Sequence, residues 1–345
     1  MKSSQKYHTE LNDGYDMSRD IIDDDDVVKS FSKQDVISPQ KRKADEDMNF
    51  SSSMDLILIR FENPPRRNLC FSNVTVSCLL NIPHFRKYLR GMKNMNEDPM
   101  TIMGELSVLA RHLSNSQKST DKLRTIVKTK CYNTGQTTRN FNNNLQFDCV
   151  EFLQSLLEHL WKEQSLLENI DEVVFGGLFQ ETMKCKCGNK QNLPIQRMAE
   201  VIPLQLQSQC VQSCLEAFFS SVVVERKCPN CESQESLKTY ELICTPSTLI
   251  LHLLRFVYDE IKEKTLKLHD KILCPKRLYL PNGSSFTLNS VINHIGERAN
   301  SGHYNIAIFD EDEDSITLLD DSQITNNVKF VDLAQICYVA TYTRI

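Results

Sequence analysis

The stretch "SGHYNIAIFDEDEDSITLLDDSQI", Ser301–Ile324, decides how the second half of this chain folds. Tyr304, Ile306 and Ile308 alternate along its first arm, and Ile316 and Leu318 along its second. A period of two marks strands, and the acidic "DEDED" between the arms resists burial and reads as a turn. Folding the chain about Glu311 and Asp312 brings His303 opposite Asp320, within a residue or two of register. A carboxylate beside an imidazole fixes its tautomer and stabilises its protonated form, which a general base needs. The plainer alternative is a surface histidine on a strand end near an acidic turn.

Outward from this hairpin, "VIPLQLQ" (Val201–Gln207) and "STLILHLLRF" (Ser247–Phe256) also read as strands. The first half is different. Phe71, Val74, Cys78 and Leu79 have helical spacing from Cys70 to Leu80, and Pro83 stops the pattern. Val150, Leu153, Leu156, Leu157, Leu160 and Trp161 form a second helical stripe. Helices followed by many strands imply an α+β fold rather than βαβ alternation.

The 345 residues carry a net charge of −5, which offers no basic field for nucleic acid. The most apolar run, "STLILHLLRFV", is interrupted by His252 and Arg255, so no membrane span is expected. Residues 1–55 are polar, with the blocks "DIIDDDDVV" and "SPQKRKADED", and read as a disordered tail. The start of the chain has no apolar signal region, which points to a reducing compartment, cytoplasmic and/or nuclear. There, clustered cysteines mean metal or catalysis more often than disulfides.

Two features among the 13 cysteines fit those roles. Cys70 in "RNLCFS" lies at a predicted helix start, where partial positive charge and free N–H groups favour a thiolate. Such a thiol needs a base, and His303 is the candidate, with Asp320 as its orienting partner. Separately, Cys185 and Cys187 in "KCKCGNK" and Cys228 and Cys231 in "RKCPNCES" suit one structural zinc ion held by four thiolates. The alternative is four unliganded thiols.

In this order the pieces resemble the ubiquitin-specific proteases, a papain-like cysteine family. "NLCFSNVTVSCLLNIPHFRKYL" resembles its cysteine box, "LQFDCVEFLQSLLEHL" its Q-Q-D-A-x-E-F-L helix, and "TPSTLILHLLRF" its L-x-x-H-L-K-R-F strand. "LNSVINHIGERANSGHYNIAIF", "LLDDSQI" and "CYVATYTR" resemble the histidine box, F-D-D-x-x-V and the closing strand. The resemblance spans about residue 60 to the end and implies a hand fold over 56–345. A helical thumb covers about 66–170, β fingers bearing a zinc ribbon about 178–250, and a β palm the remainder. It implies Cys70 as nucleophile, His303 as general base and acid, and Asp320 as orienter. The implied reaction is hydrolysis after the terminal glycine of ubiquitin, with ubiquitin and ubiquitinated proteins as partners.

The family's usual oxyanion asparagine falls at Pro65, which has no donor. Asn68, Asn63 and Asp321 are the remaining candidates for that role. Arg67 stands where the family commonly has glycine, a residue used for special backbone angles. Asp148 is expected to bind the ubiquitin tail, although Asp148 and Glu151 also have capping-box spacing. Gln146 is expected in the tail channel. His252 and His294 are expected to pack in the palm, and His159 to lie on a helix surface. Met92, Met95, Met100 and Met103 read as packing or a loop. The departures also allow a weak or inactive ubiquitin-binding adaptor, or a protease for another ubiquitin-like modifier.

Overall fold

In a computed structural model of the chain, residues 56–91, 101–111, 116–132, 141, 144–165, 174–298, 301–310, 315–329 and 336–345 are described. The expected tail over 1–55, the turn residues 311–314 and Met92, Met95 and Met100 lie outside them. Five helices come first: α1 (Cys70–Asn81), α2 (Pro83–Gly91), α3 (Ile102–Ala110), α4 (Ser116–Tyr132) and α5 (Cys149–Ser165). Pro83 both follows the end of α1 and opens α2, a position where its missing N–H costs nothing.

The apolar spacing of α1 predicts one buried stripe, but every residue of the helix is buried. Several of its polar side chains have hydrogen-bond partners. Thr75 Oγ1 donates to Phe71 O, and Asn81 both donates to Ile57 O and accepts from Ile57 N–H. A central helix can therefore carry serine, threonine and asparagine on faces that would otherwise need apolar residues. The α5 stripe is buried as expected at Val150, Leu153, Leu156, Leu157 and Leu160. His159 is a correction: it is 2% exposed, with Nδ1 2.6 Å from Ser155 O one turn back.

The strands follow as β1 (Leu178–Lys184), β2 (Lys190–Arg197) and β3 (Val201–Leu204), then α6 (Val211–Phe218). Next come β4 (Val222–Glu225), β5 (Glu235–Cys244), β6 (Thr248–Leu253), β7 (Phe256–Asp259), β8 (Lys264–Lys267) and β9 (Arg277–Tyr279). The last are β10 (Ser285–Arg298), β11 (Ser301–Asp310), β12 (Ser315–Asp320), β13 (Gln323–Thr325) and β14 (Cys337–Arg344). A four-stranded sheet runs β2-β1-β5-β4, and a larger sheet β13-β12-β11-β10-β14-β6-β3, with β9 beside β10. A ribbon of β7 and β8 stands apart. The α+β class follows from this order. Within 178–250, β3 pairs parallel with β6 and so belongs to the large sheet. The finger sheet therefore draws on 178–197 and 222–244.

The His303 hairpin forms with a shifted register. Ile306 pairs with Leu319 and Ile308 with Thr317, so the buried residues of the second arm are Thr317 and Leu319 rather than Ile316 and Leu318. Counting along this register sets Asp320 opposite Asn305 and diagonal to His303. Residues two apart share a face, so the shift keeps imidazole and carboxylate together. One apolar cluster joins α1–α5 to the large sheet through Ile250, Ile292, Ile306 and Ile308. A second packs α6 on that sheet through Leu249, Leu251 and Phe286.

Candidate active site

Cys70 is the first residue of α1 and is 4% exposed. The N–H groups of Ser72 and Asn73 both donate to Leu69 O at 3.0 Å. Those of Cys70 and Phe71 lie ahead of that first closed turn, where helix N–H groups have no intrahelical partner. Across from the helix start, His303 Nε2 lies 2.5 Å from Asp320 Oδ1. The imidazole is also within electrostatic reach of the Cys70 thiol. The Cys70 thiol, reinforced by Asp320, lifts His303 from 6.5 to about 9 against the opposing effect of its partial burial. The structure brings Cys70, His303 and Asp320 together, an arrangement that suits a thiolate–imidazolium pair.

The loop before Cys70 is a tight turn. Arg67 N–H donates to Pro64 O at 3.0 Å. Arg66 at φ 69° and Asn68 at φ 53° are left-handed, on either side of Arg67 rather than at it. A turn with proline second and a left-handed third residue is type II, where glycine is usual and arginine is strained.

The oxyanion candidates differ in what they touch. Asn68 Nδ2 donates to Asn144 O at 2.7 Å and its Oδ1 accepts from Gln146. Asn63 Oδ1 accepts from Leu69 N–H at 2.9 Å, and its Nδ2 donates to Asp321 Oδ2 at 2.9 Å. Asp321 also accepts from Asn73 Nδ2 at 2.8 Å. The Asp321 carboxylate is thus an acceptor bridging two amides, and an ionised carboxylate has no proton to give an oxyanion. Asn73 is a partner that the sequence reading missed. No local sequence pattern marks it, because its partner lies 248 residues away.

Gln146 spans the cleft and pairs with the backbone of Gly302: Gly302 N–H donates to Oε1 at 2.8 Å, and Nε2 donates to Gly302 O at 3.2 Å. The cleft between them is lined by Asn68, Cys70, Phe147, His294, Gly302 and Tyr304. Asp148 accepts from Val150 N–H at 2.7 Å as a helix cap and from Tyr338 OH at 2.6 Å. Both oxygens are therefore engaged, and Asp148 is not part of the cleft lining. His252 and His294 pack among palm aromatics, against Tyr338 at 4.7 and 5.8 Å between ring centroids.

At the far end of the finger sheet, Cys185 and Cys187 sit on the β1–β2 turn, with Cys228 and Cys231 between β4 and β5. Their sulfurs lie within 4.8 Å of one another, with 3.5 Å between Cys185 and Cys231 and 3.7 Å between Cys187 and Cys228. Four sulfurs about 2.3 Å from a tetrahedral ion have edges of about 3.8 Å, so the cluster fits a metal ion. The backbone N–H groups of Cys231 and Asn230 hold the Cys228 thiol down at about 6, which favours the thiolate a metal requires.

The family model of ubiquitin carboxyl-terminal hydrolase matches residues 65–339. Ubiquitin carboxyl-terminal hydrolase 48 of Danio rerio is 29% identical over 226 residues, 60% of this chain and 20% of that protein. Ubiquitin carboxyl-terminal hydrolase 4 of Arabidopsis thaliana is 29% identical over 136 residues, 34% of this chain and 37% of that one. The chain thus spans about a fifth to a third of the length of these curated relatives. Among solved structures, a SAGA DUB module of Ubp8, Sgf11, Sus1 and Sgf73 bound to monoubiquitin contains a chain of similar fold. The TM-score is 0.67 at 21% identity, covering 81% of this chain and 70% of that one. The module bound to ubiquitin aldehyde also gives 0.67, at 20% identity over 81% and 68%. With the matched segment running from before Cys70 to beyond Asp320, the chain belongs to the ubiquitin carboxyl-terminal hydrolase family.

Proposed function

We propose that this protein is a thiol-dependent deubiquitinase that hydrolyses peptide or isopeptide bonds after the C-terminal glycine of ubiquitin. The observation that carries this reading is the convergence of Cys70, at the start of α1, with the hydrogen-bonded pair of His303 and Asp320. The Cys70 thiolate attacks the glycine carbonyl, and the His303 imidazolium gives its proton to the leaving amine. Water then attacks the thioester with His303 as base, and the thiolate is regenerated. Asp320 keeps the ring in one orientation.

Asn63 takes the oxyanion role that Pro65 cannot fill. One Nδ2 proton serves Asp321, and the second is free for the tetrahedral oxygen beside the Cys70 N–H. Asp321 is the group that orients Asn63. Gln146 lines the channel for the substrate tail. Zinc in the four-cysteine cluster is structural: its ligand set is complete, so it holds the finger ends together and takes no part in the chemistry. Action in a reducing compartment, cytoplasmic and/or nuclear, belongs to the same proposal, because a four-thiolate cluster needs reduced cysteines.

The test is intact mass after mixing the protein with ubiquitin bearing a C-terminal electrophile, followed by hydrolysis of a ubiquitin–fluorophore. One ubiquitin added to the wild type and none to Cys70→Ser is expected, with turnover. Adduct without turnover would identify a ubiquitin-binding adaptor. No adduct on folded protein would direct the search to another ubiquitin-like modifier.

A further inference from the structure

The end of β10, the neighbour of the strand that carries His303, is held by a lysine outside the cleft. β10 pairs with β11 on one side and β14 on the other, but β14 begins only at Cys337, opposite Asn293. Beyond that point His294 N–H still reaches Ile336 O at 2.8 Å. The N–H and C=O of one strand residue point the same way, so His294 O faces the side where the partner strand has run out. The β10–β11 ladder is also bulged there: Ile295 pairs with His303 and Arg298 with Ser301, leaving two residues against Gly302. Carbonyls freed in this way need donors.

Lys267 of β8 supplies them. Its Nζ donates to His294 O at 2.8 Å and Gly296 O at 2.7 Å, and lies 3.1 Å from His294 Nδ1. An ammonium has three hydrogens, and here it meets three acceptors. Because Nδ1 accepts, the neutral His294 ring must carry its proton on Nε2. Nε2 is the nitrogen packed closest to the catalytic loop: a Cβ placed on Gly302 would come within 2.7 Å of it and 2.5 Å of Ile295 O. Gly302 is the residue before His303 and the one that Gln146 grips.

We propose that Lys267 is a positioning residue for His303, tying off the open end of β10 and fixing the His294 ring against which Gly302 is seated. The inference rests on Cys70 and His303 being the catalytic pair, but it has readouts that need no ubiquitin. His294 is held down at about 4, first by burial and then by the Lys267 charge. It faces Lys267 from β8, Phe256 from β7, Tyr304 from β11 and Tyr338 from β14. Lys267 itself feels Arg255 and Glu297.

The experiment uses the 345-residue chain. Ring nitrogen spectra of the ¹⁵N-labelled chain report the His294 tautomer and its titration. Mass spectrometry of the Cys70 peptide gives its rate of alkylation by iodoacetamide, which depends on the thiolate that His303 stabilises. In Lys267→Met we expect the Nε2–H tautomer to lose its dominance and His294 to titrate at higher pH. Cys70 alkylation falls about 10–100-fold, the scale on which small misplacements of a catalytic group cost rate. Lys267→Arg, which keeps charge and donors, restores part of both, and it carries the test if the methionine variant does not fold. A folded variant with an unchanged His294 tautomer and alkylation within twofold of wild type overturns the proposal. A wild type with these spectra but no ubiquitin turnover counts against the deubiquitinase reading alone.

Discussion

Asn63→Ala tests the most unusual part of the proposed mechanism, an oxyanion donor displaced by Pro64 and Pro65. Removal of one such donor typically costs about 10²–10³ in turnover, or about 2.7–4 kcal/mol of transition-state stabilisation. The oxyanion exists only after Cys70 has attacked, so the loss falls on kcat and leaves KM nearly unchanged. Asp321→Ala acts on the same donor indirectly, because Asn63 then keeps only its bond from Leu69 N–H. It also leaves the Asn73 amide, which is 2% exposed, with only a long 3.4 Å bond to Glu62 O. A buried amide that loses its main partner costs about 1–3 kcal/mol in stability. Asp321→Asn is more informative still. An amide accepts on its oxygen alone, so its own NH2 would face the NH2 of either Asn63 or Asn73. Steady-state hydrolysis of a ubiquitin–fluorophore, with thermal melts alongside, separates these effects. We expect Asn63→Ala to melt within a few degrees of wild type and lose about 10²–10³ in kcat. Asp321→Ala melts lower and loses somewhat less. The double variant is no slower than Asn63→Ala, since Asp321 works through Asn63. A kcat for Asn63→Ala within about threefold of wild type, well below that range, would refute the assignment.

Other outcomes follow from the same geometry. His303 lies higher in the folded protein, at about 9, than its ordinary 6.5. The stabilisation it contributes is complete below about pH 6.5 and disappears as pH rises through about 9, so the melting gap between wild type and His303→Gln should close across that window. A gap that widens above pH 9 would contradict this. The finger cluster should release about one zinc per chain to a chelator with a fall in melting temperature, and Cys228→Ser should weaken retention of the metal. Zinc-free protein with an unchanged melt would exclude a structural ion. Gln146→Ala removes two hydrogen bonds across the closed cleft. Adduct formation with a ubiquitin electrophile should therefore gain in rate relative to turnover, and loss of adduct would instead make Gln146 a tail contact.

The pattern of types was legible in the sequence wherever periodicity met a chemical need. The acidic run after Asp310 fixed a hairpin, and a hairpin alone puts His303 and Asp320 on one face whichever even register forms. The cysteine pairs declared their cluster because few other arrangements of four close thiols suit a reducing compartment. What could not be read was which polar groups are buried. Single-face periodicity assumes that one side of a helix meets water, and α1 has no such side. His159 was misjudged for the same reason, since its partner is a carbonyl of its own helix. Asn73 and Lys267 were invisible because their partners, Asp321 and the end of β10, lie 248 and 27 residues away. No local pattern encodes such distances.

Thumb and palm are joined on both sides of the Cys70–His303 pair, and the two joints differ in strength. On one side Asp321 accepts from Asn63 and Asn73, and Arg60 donates to Ser322 O. Hydrogen bonds involving a charged group contribute about 1.5–3 kcal/mol each, and those between neutral groups about 0.5–1.5. On the other side the cleft is bridged by the neutral amide of Gln146 and the backbone of Gly302. That bridge copies what an extended peptide would offer, one acceptor and one donor to a strand edge. A substrate tail can therefore exchange with Gln146 at little net cost, whereas opening the Asp321 side would leave a carboxylate unpaired. On the proposed reading, the two joints select the Gln146 side for entry of the tail. On the same reading, the Asp321 side is the fixed wall that holds Asn63 and the start of α1.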